Sequence, residues 1–462
     1  MSTLQEYIDS NQFDNINQFL NYIDSNRMNK ASTMEKMYQY YIGDTDIKSR
    51  ILANTHKVNN KLANDFFGTI IDDKVGYMGN TIKTTINTSS YSKEAYDANI
   101  KFIESWESEN DIDDINSDSI KLASICGYSA RLLYNGTNGA RVRIAPRPWE
   151  VTMIYDDDTL DPVLGFWFYN KSVYTSGVER IINVVEVYDS ARVITFNRTH
   201  SSWEEVDNVA HLFNGVPLII IDNNSEKMGD YEKAVELINA YDKALSDVSS
   251  EMEQLRLAYA ILKGGSLDDE MIEQMKQTGI LVIDKEGSFE FSSKTLDTAS
   301  IKLLLDELRR NIFSFCKSID FSEVVSGDIR VLGWQTKLMP LENKCKIAER
   351  KMTSGLRYQY RLLCDYWRIH GYANINYRDI SWKFTRNIPR DVAGEAETLS
   401  RLMSTVDKRT ALEQVSFIDN PDEVITRMDE EASTKQPPVV PTQAESSSEP
   451  VSIENKVGGL LP

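Results

Sequence analysis

Four histidines, His56, His200, His211 and His370, are the only imidazoles in this chain of 462 residues, and none stands at the spacing by which a helix or knuckle holds zinc. No glycine-rich stretch runs into Lys followed by Ser or Thr, the arrangement whose amides cradle a nucleotide's phosphates, and no nucleophile elbow is present. Cys126, Cys316, Cys345 and Cys364 are scattered without a short paired spacing, so they read as reduced core thiols. The runs Asp156-Asp157-Asp158 and Asp72-Asp73 could bind a divalent ion, as a metal-dependent nuclease would require. Both sit in turn-like sequence, however, where such carboxylates are ordinarily solvated. Neither an enzyme nor a cofactor is expected.

Charge narrows the classes further. The formal net charge is −19, the reverse of what a protein needs to grip DNA by neutralising phosphates. A conduit has a different requirement, because a wall that repels a polyanion lets it slide. The same acidity also serves plain solubility. Hydrophobic residues at 41% and charged residues at 26% are ordinary for a soluble protein. No apolar run approaches the roughly 18 residues that mark a membrane span. Met1 to Ser10 is polar and acidic, without the features of a secretory leader, and a cytosolic origin is the expectation.

The elements that would position any site divide the chain into a mixed α+β, predominantly helical protein. Helices are expected up to about Asp114, with Ile16, Leu20 and Ile23 on one apolar face and Met34, Met37, Tyr38 and Tyr41 on another before Gly43. From Leu122 to Ile221 the period becomes that of short antiparallel strands: Ala130 to Tyr134, Val142 to Ala145, Leu164 to Tyr169, Ile182 to Tyr188, Ala191 to Phe196 and Leu218 to Ile221. A long helix capped by Asp230 is predicted to run to Leu262 on Tyr241, Leu245, Val248, Met252, Leu255, Tyr259 and Leu262. An insert, Gly265 to Leu296, follows, with a short helix at Asp268 to Lys276 and strands at Ile280 to Ile283 and Ser288 to Phe291. A second amphipathic helix capped by Asp297 carries Ile301, Leu304, Leu308, Ile312, Phe315 and Ile319. Two such rods find their apolar partners most readily in neighbouring copies. A loop spans Asp320 to Gly333, then a helix from about Trp334 to His370 that Pro340 should bend. Ile375 to Phe384 reads as a strand, Asp391 to Met403 and Lys408 to Gln414 as helices, and the Ser-, Pro- and Glu-rich end as disordered.

Over roughly Met37 to Glu431 the chain resembles the portal family of long-tailed bacteriophages (siphovirus type) of Gram-positive hosts. The matching features, in order, begin with Tyr40-Tyr41-Ile42-Gly43, Asn64-Asp65-Phe66, Ile70-Ile71-Asp72-Asp73-Lys74-Val75-Gly76-Tyr77 and Gly127-Tyr128. They continue with Ile154-Tyr155-Asp156, Gly215-Val216-Pro217, Asn223-Asn224, Gly229-Asp230-Tyr231-Glu232 and Leu237-Ile238-Asn239-Ala240-Tyr241-Asp242. Trp334-Gln335-Thr336-Lys337-Leu338 with Pro340-Leu341-Glu342 resembles the helix after that family's tunnel loop, and Phe384-Thr385-Arg386-Asn387-Ile388-Pro389 its closing segment. The stretch Val324 to Leu332 is less rich in glycine and serine than that loop.

The resemblance implies a portal fold of wing, stem, clip and crown, assembled as a ring of about twelve subunits. Residues 1–229 and 334–388 would form the wing, 230–264 and 297–319 the stem helices, 265–296 the clip, 320–333 the tunnel loop and 389–431 the crown, with a disordered tail at 432–462. It implies a DNA channel at one capsid vertex of the virion, assembled in the host cytoplasm. Its partners would be double-stranded DNA passing without sequence preference, the terminase large subunit, a head-completion adaptor, and the major capsid and scaffolding proteins; no membrane is involved. The DNA-touching loop would be Glu323, Val324, Val325, Ser326, Gly327, Asp328, Ile329, Arg330, Val331 and Leu332, with Asp328 and Arg330 nearest the phosphates. Lys233, Lys243 and Lys263 would form weak basic rings in the channel, or else a solvated helix face. Ile280, Leu281, Val282, Ile283, Phe289 and Phe291 would pair across subunits in the clip, or else close a hairpin within one. The competing class is a capsid or tail-connector subunit with no direct DNA role.

Overall fold

The computed structural model describes residues 4–434 except 12, 54–57, 79–80, 88–89, 138, 176, 201, 256–258, 264–272, 274–287, 293–296, 321–330, 388–391, 416–417 and 419–420. The chain separates into two units, Met1–Asn387 and Ile388–Pro462.

In the first unit, α1 (Leu4–Ser10) precedes α2 (Ile16–Tyr41), and the two apolar groups read along this stretch belong to one 26-residue helix. Asn15 caps α2 by accepting from the Gln18 amide, and Gly43, at φ +84°, follows its end. The helix is long enough to serve two cores. Phe19, Leu20 and Ile23 pack on a sheet through Phe166, Phe168 and Val185, whereas Met34, Met37 and Tyr40 pack on Phe67, Ile70 and Ile71. Those last three belong to α3 (Phe66–Met78), which is followed by β1 (Ile82–Ile86), α4 (Lys93–Glu109) and α5 (Ile112–Cys126). Asp72 and Asp73, expected in a turn, lie on α3; the flanking Phe67, Ile70, Ile71 and Lys74 are buried, and this repeating inward face carries the pair into a helix.

The strands are β2 (Tyr128–Gly136), β3 (Gly139–Ile144), β4 (Val151–Tyr155), β5 (Pro162–Thr175), β6 (Val178–Tyr188), β7 (Arg192–Thr199), β8 (Ser202–Ala210) and β9 (Leu218–Asp222). They form a three-stranded sheet, β3-β2-β9, and a five-stranded sheet, β4-β5-β6-β7-β8, with every pairing antiparallel as the short intervals require. β1, β4 and β8 were not anticipated. In β8 the carboxylates of Glu204, Glu205 and Asp207 hide the strand signal.

Next come α6 (Val235–Leu255), β10 (Tyr259–Lys263), β11 (Ser288–Ser292), α7 (Thr298–Phe315), α8 (Val331–Ile369) and β12 (Ile380–Phe384). Two corrections follow. The first rod ends by Leu255, not Leu262: Tyr259 to Lys263 is a strand paired antiparallel with Ser288 to Ser292. A short apolar run such as Tyr-Ala-Ile-Leu suits either period, and the alternating Ser-Phe-Glu-Phe-Ser opposite decides it. Asp230 is not a cap; its carboxylate is buried in an ion cluster, and a 3-10 turn at Glu232–Ala234 starts α6. Asp297 does cap α7, accepting from the Ser300 amide at 3.2 Å.

α6 packs against α7, with Ile238 and Ile312 in one core and the Phe66 ring wedged 5.0 Å from Tyr241 and 5.8 Å from Phe313. α8 holds Pro340 within its span and buries Leu341, Cys345, Met352, Leu356 and Leu363 against the three-stranded sheet. Gly355 permits this approach, since a Cβ there would meet Ile221 at 2.7 Å. The strand expected at Ile375 to Phe384 is confined to β12, after a 3-10 turn at Tyr377–Asp379, and pairs with β1.

The second unit holds α9 (Val392–Leu402), α10 (Lys408–Glu413) and α11 (Pro421–Thr434). Asp407 caps α10, and Ala411, Leu412 and Val415 are buried. α11 continues past residue 431, where the unstructured tail was expected to start.

Candidate functional site

Charged side chains hold the entry to the segment 321–330 and, nearly four turns along, the helix that leaves it. Asp320, at its entry, takes a bidentate pair from Arg309 of α7, Nε to Oδ2 at 2.5 Å and Nη2 to Oδ1 at 2.9 Å. From α8, which leaves the segment, Lys344 donates to the Cys316 carbonyl at the end of α7 (2.8 Å) and stands 3.5 Å from Asp230 Oδ2. Lys74 of α3 approaches the same oxygen at 2.9 Å and donates to Asn223 Oδ1 at 2.7 Å. Asn223 turns its amide on the other Asp230 oxygen (2.9 Å) and on the Met228 carbonyl (2.9 Å). One carboxylate thus ties α3, the entry to α6, the exit of α7 and α8.

Burial sets the electrostatics of this cluster. The side chains of Lys74 and Asp230 are 0% and 3% exposed. Burial alone would raise the Asp230 carboxyl, but Lys74, Lys344 and the Asn223 amide pull it down to about 2. Burial pushes the Lys74 ammonium down, with Asp230 opposing and Lys344 reinforcing. Beside them Asp73 is pushed up to about 6 by burial and by its neighbour Asp72, against the pull of Lys344.

Main-chain packing brings these groups together. Gly127, at φ +91°, ends α5 with its Cα against the Lys227 carbonyl, and a Cβ there would come within 2.1 Å of that oxygen. A Cβ on Gly229 would meet the Ile125 carbonyl at 2.4 Å. The Asn223 amide donates to the Gly127 carbonyl and the Asp230 amide to that of Ser124. Tyr231, fully buried, donates its hydroxyl to the Met37 carbonyl at 2.7 Å. One helical turn before Cys345, Glu342 accepts from Tyr77 (2.9 Å) and from Arg386 Nε (2.8 Å), whose Nη2 reaches Glu349 at 2.7 Å.

α6 is held along a second face by the extended segment 59–64. The amides of Asn60, Leu62 and Asn64 donate to Ser250 Oγ (2.9 Å), Ser246 Oγ (3.0 Å) and Asp242 Oδ1 (3.0 Å). Every second amide of the strap therefore meets every fourth residue of the helix. Asn60 Nδ2 adds bonds to Ser249 and Glu253, and Arg50 pairs with Asp247.

Of the residues singled out in the sequence, Lys233 is exposed in the 3-10 turn before α6 and Lys243 is exposed on α6. At 3.6 residues per turn Lys243 lies on the side of α6 away from α7 with Glu236, Ala240, Asp247 and Glu251, where Asp247 is taken up by Arg50. Lys263 ends β10. Phe289 and Phe291 lie opposite Leu262 and Ala260 in the β10-β11 pair, so one edge of this strand is spent within the chain. Ile280, Leu281, Val282 and Ile283 and loop residues Glu323 to Arg330 lie outside the described residues, as does the expected short helix except helical Glu273; Val331 and Leu332 begin α8. The cluster around Asp230 was missed as a site. Its signal was a lysine set into the apolar helix face of Ile70-Ile71-Asp72-Asp73-Lys74-Val75.

Comparison with known proteins matches residues 20–438 to the family described as Phage portal protein, SPP1 Gp6-like. The chain is 20% identical over 429 residues to the portal protein of Bacillus phage SPP1, spanning 86% of this chain and 83% of that protein. It is 18% identical over 222 residues to the portal protein of Clostridium phage phiCD119, spanning 46% and 48% respectively.

Proposed function

Because the chain belongs to the SPP1 Gp6-like phage portal protein family, we propose that it forms the ring through which double-stranded DNA enters and leaves the capsid at one vertex. Portal function, an oligomeric ring and partners in the phage head follow from that membership. The finer assignments are our reading. About twelve copies close the ring. The segments 1–229 and 334–388 act as wing, α6 and α7 as stem, 265–296 as clip and 389–431 as crown. The terminase large subunit docks on the clip during packaging and a head-completion adaptor replaces it afterwards. Major capsid and scaffolding proteins surround the wing, in a virion assembled in the host cytoplasm.

In this reading residues Glu323 to Arg330, with Val331 and Leu332 at the start of α8, are what DNA meets, with Asp328 and Arg330 closest to the phosphates. The observation that carries it is the fixing of the loop's entry and of the helix beyond it: Arg309 clamps Asp320, and Lys344 ties that helix to the Cys316 carbonyl and to Asp230. A loop that transmits contact with a moving polymer needs such fixed roots. The exposed Glu236 on α6 and the net charge of −19 support a wall that repels the duplex. In the clip, β11 pairs only with β10 among the described residues, and in our reading its other edge with Ile280 to Ile283 forms the contact between copies. Negative-stain microscopy of the purified chain tests the assembly: rings with an axial hole of duplex width are expected, and monomers at all concentrations would overturn it. Val282→Pro is expected to lower the ring fraction; a ring mass distribution like that of the parent chain would remove the clip strand from the interface.

A further inference from the structure

The hairpin of β5 and β6 outruns the sheet that contains it. β4 pairs with β5 only as far as Trp167, and β7 pairs with β6 only from Val184 onward. The pairs from Asn170↔Asn183 to Thr175↔Val178 therefore form a two-stranded ribbon about 20 Å long with no flanking strand among the described residues. Its side chains are not those of a solvated hairpin. Tyr174, Ile181 and Val178 are 72%, 68% and 61% exposed. By register Lys171, Val173, Val178, Arg180 and Ile182 share one face, and Ser172, Tyr174, Glu179 and Ile181 lie on the other, so the first face carries two cations and no carboxylate. Isolated two-stranded ribbons are marginal in water, and one that exposes large apolar side chains and, among the described residues, both main-chain edges seeks a partner.

The same sheet offers a complementary edge. β8 is its last strand, and after Trp203 every residue to Ala210 is exposed, so neither face of this stretch is covered. The edge carries Glu204, Glu205 and Asp207, no cation, and the exposed Val206 and Val209. Its register shifts between Thr195 and Phe196, which leaves Val206 as the extra residue of a bulge. Carboxylates and a bulge also keep an edge from pairing with its own kind. That protection is selective: it repels another acidic edge and admits a basic one.

We propose that the β5-β6 ribbon of one subunit lies along the β8 edge of the next copy, adding main-chain hydrogen bonds to Ser202–Ala210 and setting Lys171 and Arg180 against Glu204, Glu205 and Asp207. The contact is head-to-tail, since ribbon and edge are different surfaces of one chain, and such contacts propagate around a closed ring. It rests on the ring assembly argued above and adds a wing contact to it.

The test uses the full chain. Cys126, Cys316, Cys345 and Cys364 are all buried, so thiols introduced at the surface can be oxidised selectively. Rings of a Tyr174→Cys variant that also carries Val206→Cys or Val209→Cys are expected to give, on mild oxidation, a ladder of covalent multimers in a denaturing gel. Each single variant gives none. As a second arm, Lys171→Glu with Arg180→Glu should raise the concentration needed for ring assembly about tenfold, and adding Glu204→Lys with Asp207→Lys should reverse it. Normal rings without a ladder from either pair, or no recovery on the second exchange, would overturn the proposal and assign the ribbon to another head protein. A parent chain that never forms rings would instead overturn the assembly itself.

Discussion

A lysine carried fully into the interior holds its charge only while a carboxylate faces it, and Lys74 depends on Asp230 in this way. Asp230→Asn leaves the buried Lys74 charge without its carboxylate and is expected to cost about 3–5 kcal/mol, whereas Lys74→Met leaves Asp230 with Lys344 and should cost less. Replacing both, Lys74→Met with Asp230→Leu, should recover part of that loss; urea denaturation of the three variants measures it. Two carboxyls of the cluster give opposite pH signatures. Asp230, held at about 2 against an ordinary 3.8, contributes stability above pH 4 that is lost as the pH falls toward 2. Asp73, raised to about 6, favours the fold while protonated, fully so below about pH 4, and that contribution disappears as the pH rises through 6. Asp73→Asn should therefore raise the urea midpoint at pH 8 and leave it unchanged at pH 4; an equal shift at both would show that charge is not the cause. Arg131 solves burial differently, with Ser119, Asn116, Gln359 and the Ile115 carbonyl as neutral acceptors, and burial pushes its guanidinium down to about 9.

At the scale of elements, α6 owes its place to α7 on one side and to the 59–64 strap on another. Ser246→Ala or Ser250→Ala would leave the Leu62 or Asn60 amide without its acceptor, at a cost of about 1–3 kcal/mol each. Hydrogen exchange should show those amides losing protection and α6 opening earlier; unchanged exchange would deny the strap a holding role. This also marks what could be read in advance. The helical stripes of α2, α7 and α8 are legible because each buries one face, and β2, β5, β6, β7 and β9 because short β-branched and aromatic runs stand between turn residues, continuous in β9. The Asp297 cap was visible because capping is local. Segment 59–64 buries no face and is ordered by amides, which no side-chain pattern reveals. β8 was hidden by its acids, and Tyr259 to Lys263 by a partner 25 or more residues away in sequence. Asp230 was taken for a cap because its buried partners, Lys74 and Lys344, come from distant helices.

At the scale of the whole molecule, the net charge of −19 acts on a polyanion through the summed field rather than through any one contact. If the α6 face lines the channel, Glu236→Lys together with Glu251→Lys should slow DNA packaging at low salt, and raising the ionic strength should relieve the slowing as screening shortens the attraction. A packaging rate indifferent to the exchange would place that face elsewhere. Deleting 323–330 should abolish or strongly reduce packaged DNA while rings still form, whereas full packaging would remove the loop from the DNA path.

The strap works as a vernier. Four helical residues advance about 6 Å, while two extended ones advance about 6.7 Å, so successive rungs drift apart by about 0.7 Å. Three rungs stay within the play of a rotating hydroxyl, and a fourth would fall out of phase. Alternate residues of an extended segment face opposite ways, so a single residue inserted between Asn60 and Asn64 would leave their amides on opposite sides and only one of them could still reach α6; substitutions here are tolerable where a change of length is not.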